Sequence, residues 1–268
     1  MNRSPGQLCA IHQPNLFPRL STLAKLFAAD IWIALDDVQF ARRDYQHRAR
    51  LGSRDDPSAQ QWMSLPVGAP NGRDSLIRDI RVLERDRSVR RILGMTRQHH
   101  GRGRHWPEIE ATIAQVTQTI TQTDSLAEAA IVSTACLLEL LRWPGAVVRS
   151  SDFRVSADRS ARLADLTCAV GAAEYVCGTG GARYLQTAPF QDRGIEIVHF
   201  SVPTDGNPEV WRGATRISSL ATFANAGASA VRHAFTHDVD LRHHLGPKNS
   251  VARPLPPEVI PEAAPTAL

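Results

Sequence analysis

Five short apolar runs constrain this chain of 268 residues more than any other feature: LCAI (8–11), IWIAL (31–35), AVVRS (146–150), EYVCG (174–178) and IEIVHF (195–200). Most are near-continuous in apolar residues and lack alternation, the pattern of strands covered on both faces. Helical patterns lie between them. Leu20 to Ala29 is apolar on one face, and Ser156 to Val170 reads as an amphipathic helix with Asp158 near its start. The block from about 86 to 142 shows no strand and suggests two or three helices. Strands alternating with helices predict an α/β fold, a mostly parallel, Rossmann-like sheet with flanking helices, and the central helices form an insertion beside it. Residues 1–245 are read as a single α/β domain with the helical insertion at about 86–142. From Gly246 the sequence GPKNSVARPLPPEVIPEAAPTAL holds six prolines, so 246–268 is read as a Pro-rich flexible tail that cannot bury enough surface to order itself.

Several function classes are set aside by composition. No apolar run approaches the roughly 20 residues of a membrane span, and Met1 to Gln7 is too polar for a secretory signal. A cytoplasmic protein without membrane partners is expected. The four cysteines, Cys9, Cys136, Cys168 and Cys177, form no CxxC pair and sit in core-like contexts, as small buried hydrophobes do. His99, His100 and His105, and the His243–His244 pair, lack metal-ligand spacing and a carboxylate partner; no metal site is expected. The net charge is +4, arginine heavily outnumbers lysine, and much of the positive charge falls between Arg42 and Arg104. Guanidinium pairs bidentately with phosphate and carboxylate. No helix-turn-helix or aromatic RNA-binding repeat accompanies it, so nucleic acid is not the expected partner.

In an open parallel sheet, ligands bind beyond the carboxyl ends of the strands. After the first apolar run the chain reads HQPNLFPRL, so His12, Gln13 and Asn15 stand at such an end, in a loop that Pro14 and Pro18 stiffen. A pre-ordered polar loop suits a ligand; a turn capping the next helix is the alternative. The second run passes into DDVQFARRDYQHRAR. Asp36 and Asp37 emerge at the equivalent end, followed by Gln39, Arg42, Arg43, Gln46, Arg48 and Arg50. Adjacent side chains alternate in an extended chain, so one carboxylate faces a ligand while the other caps or pairs with an arginine. A carboxylate there would act as a base, orient an amine or hold magnesium; a salt-bridged loop is the plainer account. A third segment, GTGGARYL (178–185), puts Gly178, Gly180, Gly181 and Tyr184 after a strand. Its glycines permit close approach of backbone N–H groups to an anion, although it matches neither the P-loop nor the dinucleotide fingerprint.

These segments resemble the bacterial WbqC-like proteins. Their opening motif looks like IHQPNYLPWLGYFAKI, against IHQPNLFPRLSTLAKL here; their next block looks like LDDVQFxKRxWQNRxRI, against LDDVQFARRDYQHRARL. A WLxxPV element is echoed by WMSLPV (62–67), and SGxGGxxYL by GTGGARYL. The likeness spans residue 8 to about 235. It departs at Arg19 and Ser21, where the family has tryptophan and glycine, at His47 for asparagine, and at Ala221 for an aspartate in a serine-initiated apolar helix.

Family members accompany gene clusters for O-antigen, other specialised sugars and natural products. The resemblance therefore implies transfer of an acyl or aminoacyl group, glycyl in type, that forms an amide on an amino sugar or similar small amine. It implies catalytic roles for His12, Asp36 and Asp37. Substrate contacts would come from Gln13, Asn15, Gln39, Arg43, Gln46, Arg48, Gly178, Gly180, Gly181 and Tyr184. The layout is also loosely analogous to nucleotidyltransferases with the HIGH signature, in which a histidine-bearing loop follows the first strand. An ATP-dependent adenylating amide ligase, with ATP and Mg2+ as cofactors, is thus one alternative. Others are transfer from an acyl-carrier protein or other activated donor docking on Arg85 to Arg104, and a non-catalytic small-molecule binding subunit.

Overall fold

The computed structural model describes residues 7–53, 56, 58–178, 181, 184–203, 206–239 and, for the backbone, 241–243. The chain begins with β1 (Leu8–His12), α1 (Leu20–Phe27) and β2 (Ile31–Ala34). A long excursion follows. It contains the antiparallel hairpin of β3 (Arg48–Gly52) and β4 (Gln60–Ser64), the small ribbon of β5 (Val67–Gly68) and β6 (Arg81–Val82), and the helices α2 (Arg85–His100), α3 (Trp106–Thr123) and α4 (Leu126–Leu140). The chain then returns as β7 (Ala146–Arg149), α5 (Arg159–Ala169), β8 (Glu174–Gly178), α6 (Ala188–Gln191), β9 (Glu196–Phe200), α7 (Pro208–Trp211), α8 (Leu220–His237) and β10 (Leu241–His243).

The main sheet runs β10-β9-β8-β1-β2-β7. Its first five strands in chain order are mutually parallel, and β10 closes the edge antiparallel to β9. In order of appearance the strands read 3-2-1-4-5-6, the doubly wound order, so the topological switch point lies between β1 and β8. The predicted α/β class is therefore observed, and all five apolar runs are strands. The two expected helices are slightly shorter than their patterns. In α5, the Asp158 side chain accepts hydrogen bonds from the backbone N–H of Ser160 and Ala161, ending the helix at its cap. Three helices occupy the central block. The Pro-rich segment lies outside the described residues.

Successive residues of β1 serve two cores. Cys9 and Ile11 join Ile31, Ile33, Tyr175, Cys177 and Ile197 under α5 and α6. Ala10 joins Trp32, Ala34 and Val176 in a larger core with Leu20 and Leu23 of α1, Leu137 of α4 and Phe223 of α8. Burial on both faces is why these strands read as unbroken apolar runs. α8 is two helices joined at Gly227, which has φ 82°. There the Glu108 carboxylate accepts from Ala228 N–H and contacts His105 Nδ1, both at 2.7 Å. Among the described residues, no helix is long and apolar enough to cross a membrane.

Candidate functional site

β1 ends at the switch point with His12, and the backbone there is fully committed. Its carbonyl accepts from Leu35 N–H at 3.0 Å and from the Trp32 indole at 3.2 Å. The loop that follows is clamped from beneath by α4. Asn15 C=O accepts from Ser133 Oγ and Thr134 Oγ1, while Phe17 N–H donates to Ser133 Oγ at 3.0 Å. Phe17 is buried at φ 44°, a conformation that costs a bulky residue of order 1–3 kcal/mol and survives only where surroundings over-determine it. The two prolines and this clamp hold the polar side chains in place before any ligand arrives.

Lys25, on α1, organises the site. It is 7% exposed, and its ammonium donates to the Ile11 carbonyl at 3.1 Å and stands 3.4 Å from His12 Nδ1. Its stem passes beneath the start of the glycine segment, where a Cβ on Gly178 would lie 3.4 Å from Lys25 Cδ. Burial pushes Lys25 down to about 8, against smaller opposing effects of Cys177 and Cys9. Burial first, then the charges of Lys25 and Arg19, hold the His12 imidazole well below its ordinary range, so it is neutral at pH 7. Lysine has donors only. The ammonium therefore makes Nδ1 the acceptor and leaves the ring proton on Nε2; Asn15 Nδ2 stands 3.2 Å from Nε2, so that tautomer requires the Asn15 amide to turn and present its oxygen.

Gln13 completes this group. The buried Gln46 donates through Nε2 to Gln13 Oε1 at 2.7 Å. That bond occupies Gln13 Oε1 and leaves its NH2 as the end able to donate, and Gln46 Oε1 is itself buried without a partner among the described residues. Thus His12 pairs with Asn15, and Gln13 with Gln46, along the loop that follows β1.

The two aspartates sit differently. Asp36 is 1% exposed, and each of its oxygens is engaged: Oδ1 accepts from Ser150 Oγ at 3.2 Å and Ser151 N–H at 3.1 Å, and Oδ2 accepts from Ser151 Oγ at 3.0 Å. Asp37 shares the single Ser150 hydroxyl proton with Asp36, makes the closer contact of the two, and pairs with Arg162 of α5. Both carboxylates tie the exit of β2 to the exit of β7.

The remaining residues spread outward. Gln39 is exposed and donates to Arg73 C=O at 2.7 Å. Arg43 is exposed, and its carbonyl accepts from Arg48. Arg48 also donates to Asp44 C=O at 2.9 Å and stacks 4.1 Å above the Trp62 ring, which Arg50 approaches at 4.5 Å. The aromatic faces accommodate these guanidinium groups. Gly181 N–H donates to Gly178 C=O at 3.0 Å, Tyr184 is exposed, and Gly180 lies outside the described residues. Among the described residues, no three His, Cys, Asp or Glu side chains converge as metal ligands do.

Lys25, Ser133, Ser150, Ser151 and Arg162 did not emerge from the sequence reading. Lys25 left one trace there: it is the single charged residue of the LSTLAKLF helix.

The model of the WbqC-like protein family matches residues 13–209. An uncharacterized protein, Rv1507c, of Mycobacterium tuberculosis is 25% identical over 228 residues, covering 82% of this chain and 94% of that protein. No solved structure matches the chain.

Proposed function

The chain belongs to the WbqC-like protein family, and from that premise we propose that it is an amide-forming transferase. It moves an acyl or aminoacyl group, glycyl in type, onto the amine of an amino sugar or similar small molecule, in the assembly of a polysaccharide or natural product. The observation that supports this reading best is the neutral His12 imidazole at the switch point, followed in the same loop by Gln13, whose Oε1 is held by Gln46. Amide formation makes two demands. The acceptor arrives as an ammonium ion and must lose a proton, which calls for a neutral nitrogen base. The acyl oxygen gains charge as the amine attacks, which calls for fixed N–H donors. His12 meets the first demand once Lys25 is neutral and the ring proton moves to Nδ1, and Gln13 meets the second. In this reading Asp36 and Asp37 brace the strand ends, and Arg48 with Arg50 marks the rim where anionic parts of donor or acceptor are held.

The test supplies purified protein with glycine, ATP and magnesium, or with glycyl thioesters, and a panel of amino sugars, and follows amide formation by mass spectrometry. Amide product from either donor, lost by at least about 100-fold in His12→Ala with an unchanged unfolding midpoint, supports the proposal. Pyrophosphate exchange dependent on one amino acid would identify the ATP-dependent form. Tight binding of an amino sugar with no product from any donor would overturn the transferase in favour of a binding subunit.

A further inference from the structure

We propose that Lys25 and His12 form a two-residue proton relay, in which the buried lysine amine stores the proton and imidazole Nε2 is the face that meets the substrate amine. The relay deepens the acyl-transfer reading and rests on it for the identity of the proton donor; its geometry stands independently. Lys25 is buried, its nitrogen is 3.1 Å from the Ile11 carbonyl and 3.4 Å from His12 Nδ1, and no carboxylate among the described residues pairs with it. A buried ammonium without a counter-ion is costly, and its position under the switch point puts that cost beside the crevice where ligands of this fold bind.

The Lys25–Nδ1 end matches in both protonation states, and the Nε2 end matches when the Asn15 amide turns, presenting Oδ1 to Nε2–H and its NH2 to the bare Nε2. With Lys25 charged, the ammonium donates to Nδ1 and the imidazole proton sits on Nε2. With Lys25 neutral, its nitrogen offers a lone pair, the imidazole proton moves to Nδ1, and the Nε2 lone pair faces outward. The Asn15 NH2, 3.2 Å from Nε2, donates to that lone pair until the substrate ammonium displaces it. Asn15 is the sole side-chain partner of Nε2 among the described residues.

The step balances. The N–H bond of the substrate ammonium breaks and Nε2–H forms; Nδ1–H breaks and a third N–H forms on Lys25. One proton has crossed from substrate to lysine, the free amine keeps its electron pair for the acyl carbon, and the imidazole ends neutral. No imidazolium persists in a site that opposes one. Returned along the same path, the proton leaves with the departing group.

Charged and titratable groups facing the pair are few. The thiols of Cys9 on β1 and Cys177 on β8 flank Lys25, both held protonated by burial, and Arg19 adds positive charge near His12. Burial lowers both members, but Lys25, at about 8, stays the more basic, so the proton rests on the lysine.

Nitrogen NMR of the full chain labelled in its histidines, with His12 assigned from the spectrum of His12→Asn, reads the tautomer directly between pH 6 and 10. The expected result is an Nε2–H tautomer at pH 6.5 that converts to Nδ1–H with a midpoint near 8, and no conversion in Lys25→Met. A tautomer unchanged to pH 10 in the wild-type protein, or a conversion that survives Lys25→Met, overturns the relay. The same titration separates the two proposals. A Lys25-dependent conversion in a protein that forms no amide sustains the relay and removes the transferase; amide formation without the conversion does the reverse. Where both hold, kcat/KM rises with pH to a plateau with its midpoint near 8 in the wild type. Lys25→Arg, which keeps the charge but holds its proton throughout this range, stays at the low-pH rate.

Discussion

Replacing Lys25 with methionine should make the protein more stable at neutral pH. Lys25 is 7% exposed and its pKa falls from 10.5 to about 8 on folding, so burial disfavours the charged form by about 3 kcal/mol relative to water. Methionine has nearly the same length and no charge. Its thioether forfeits the hydrogen bond to the Ile11 carbonyl, a loss of about 1 kcal/mol, so Lys25→Met should gain about 2 kcal/mol at pH 7. The sign of the pH dependence follows from linkage. Between pH 8 and 10.5 the unfolded lysine keeps a proton that the folded one has released, so wild-type stability from this group rises with pH and is lost as pH falls through 8. By pH 9.5 the wild type should have recovered about 2 kcal/mol, and the gap between the two proteins should nearly close. Ionisation of Cys9 and Cys177 affects both proteins alike and cancels in the difference. Urea unfolding at pH 7 and 9.5, with equal m-values, measures the quantity. A variant less stable than wild type at pH 7, by an amount that does not change at pH 9.5, would refute the claim that this lysine is buried as a charge.

Three further outcomes can be measured in the same way. Asp36→Ala, which strips a buried carboxylate from Ser150 and Ser151, should cost about 3 kcal/mol and loosen the exits of β2 and β7 in hydrogen exchange; a loss below about 1 kcal/mol would show that the brace is dispensable. Gly227→Ala puts a Cβ 2.7 Å from His105 Nδ1 at φ 82°, so the urea midpoint should fall by an amount worth at least about 2 kcal/mol, and a neutral result would mean that the break in α8 is free to reshape. Burial holds His100 at about 4. Its share of stability is present above pH 6.5 and lost as pH falls through 4, about 2 kcal/mol of it by pH 5, and His100→Leu should remove that portion of the acid dependence.

β1, β2, β8 and β9 were readable because most of their residues are buried between the two cores and selected as apolar; β7 was legible from composition although Ala146 and Val147 are exposed at the sheet edge, and the short β10 was not read. The β3–β4 hairpin escaped notice for the opposite reason. Its outer face carries Arg48 and Arg50 over Trp62, and a strand whose surface is completed by guanidinium stacking looks like a charged loop. Only the first part of α8 was legible, as the serine-initiated apolar helix around Ala221; Gly227 interrupts the helix, and the Glu108 carboxylate that holds the break lies 120 residues away.

The candidate site divides along the same line. The sequence by itself determined the α/β class, the polar loop after the first strand and the stiffness that two prolines impose, since these depend on local pattern and backbone geometry. It also put carboxylates and arginines at the second strand's exit. What those groups do was decided only by tertiary structure. Asp36 is consumed by serines 114 and 115 positions further along, and Asp37 by Arg162, 125 positions away. Gln13 is held by Gln46, 33 residues on. Lys25 reads as an ordinary helical lysine until the sheet places it under the junction of β1 and β8. Protonation depends on desolvation and on neighbours in space, and chain order specifies neither until the fold has formed.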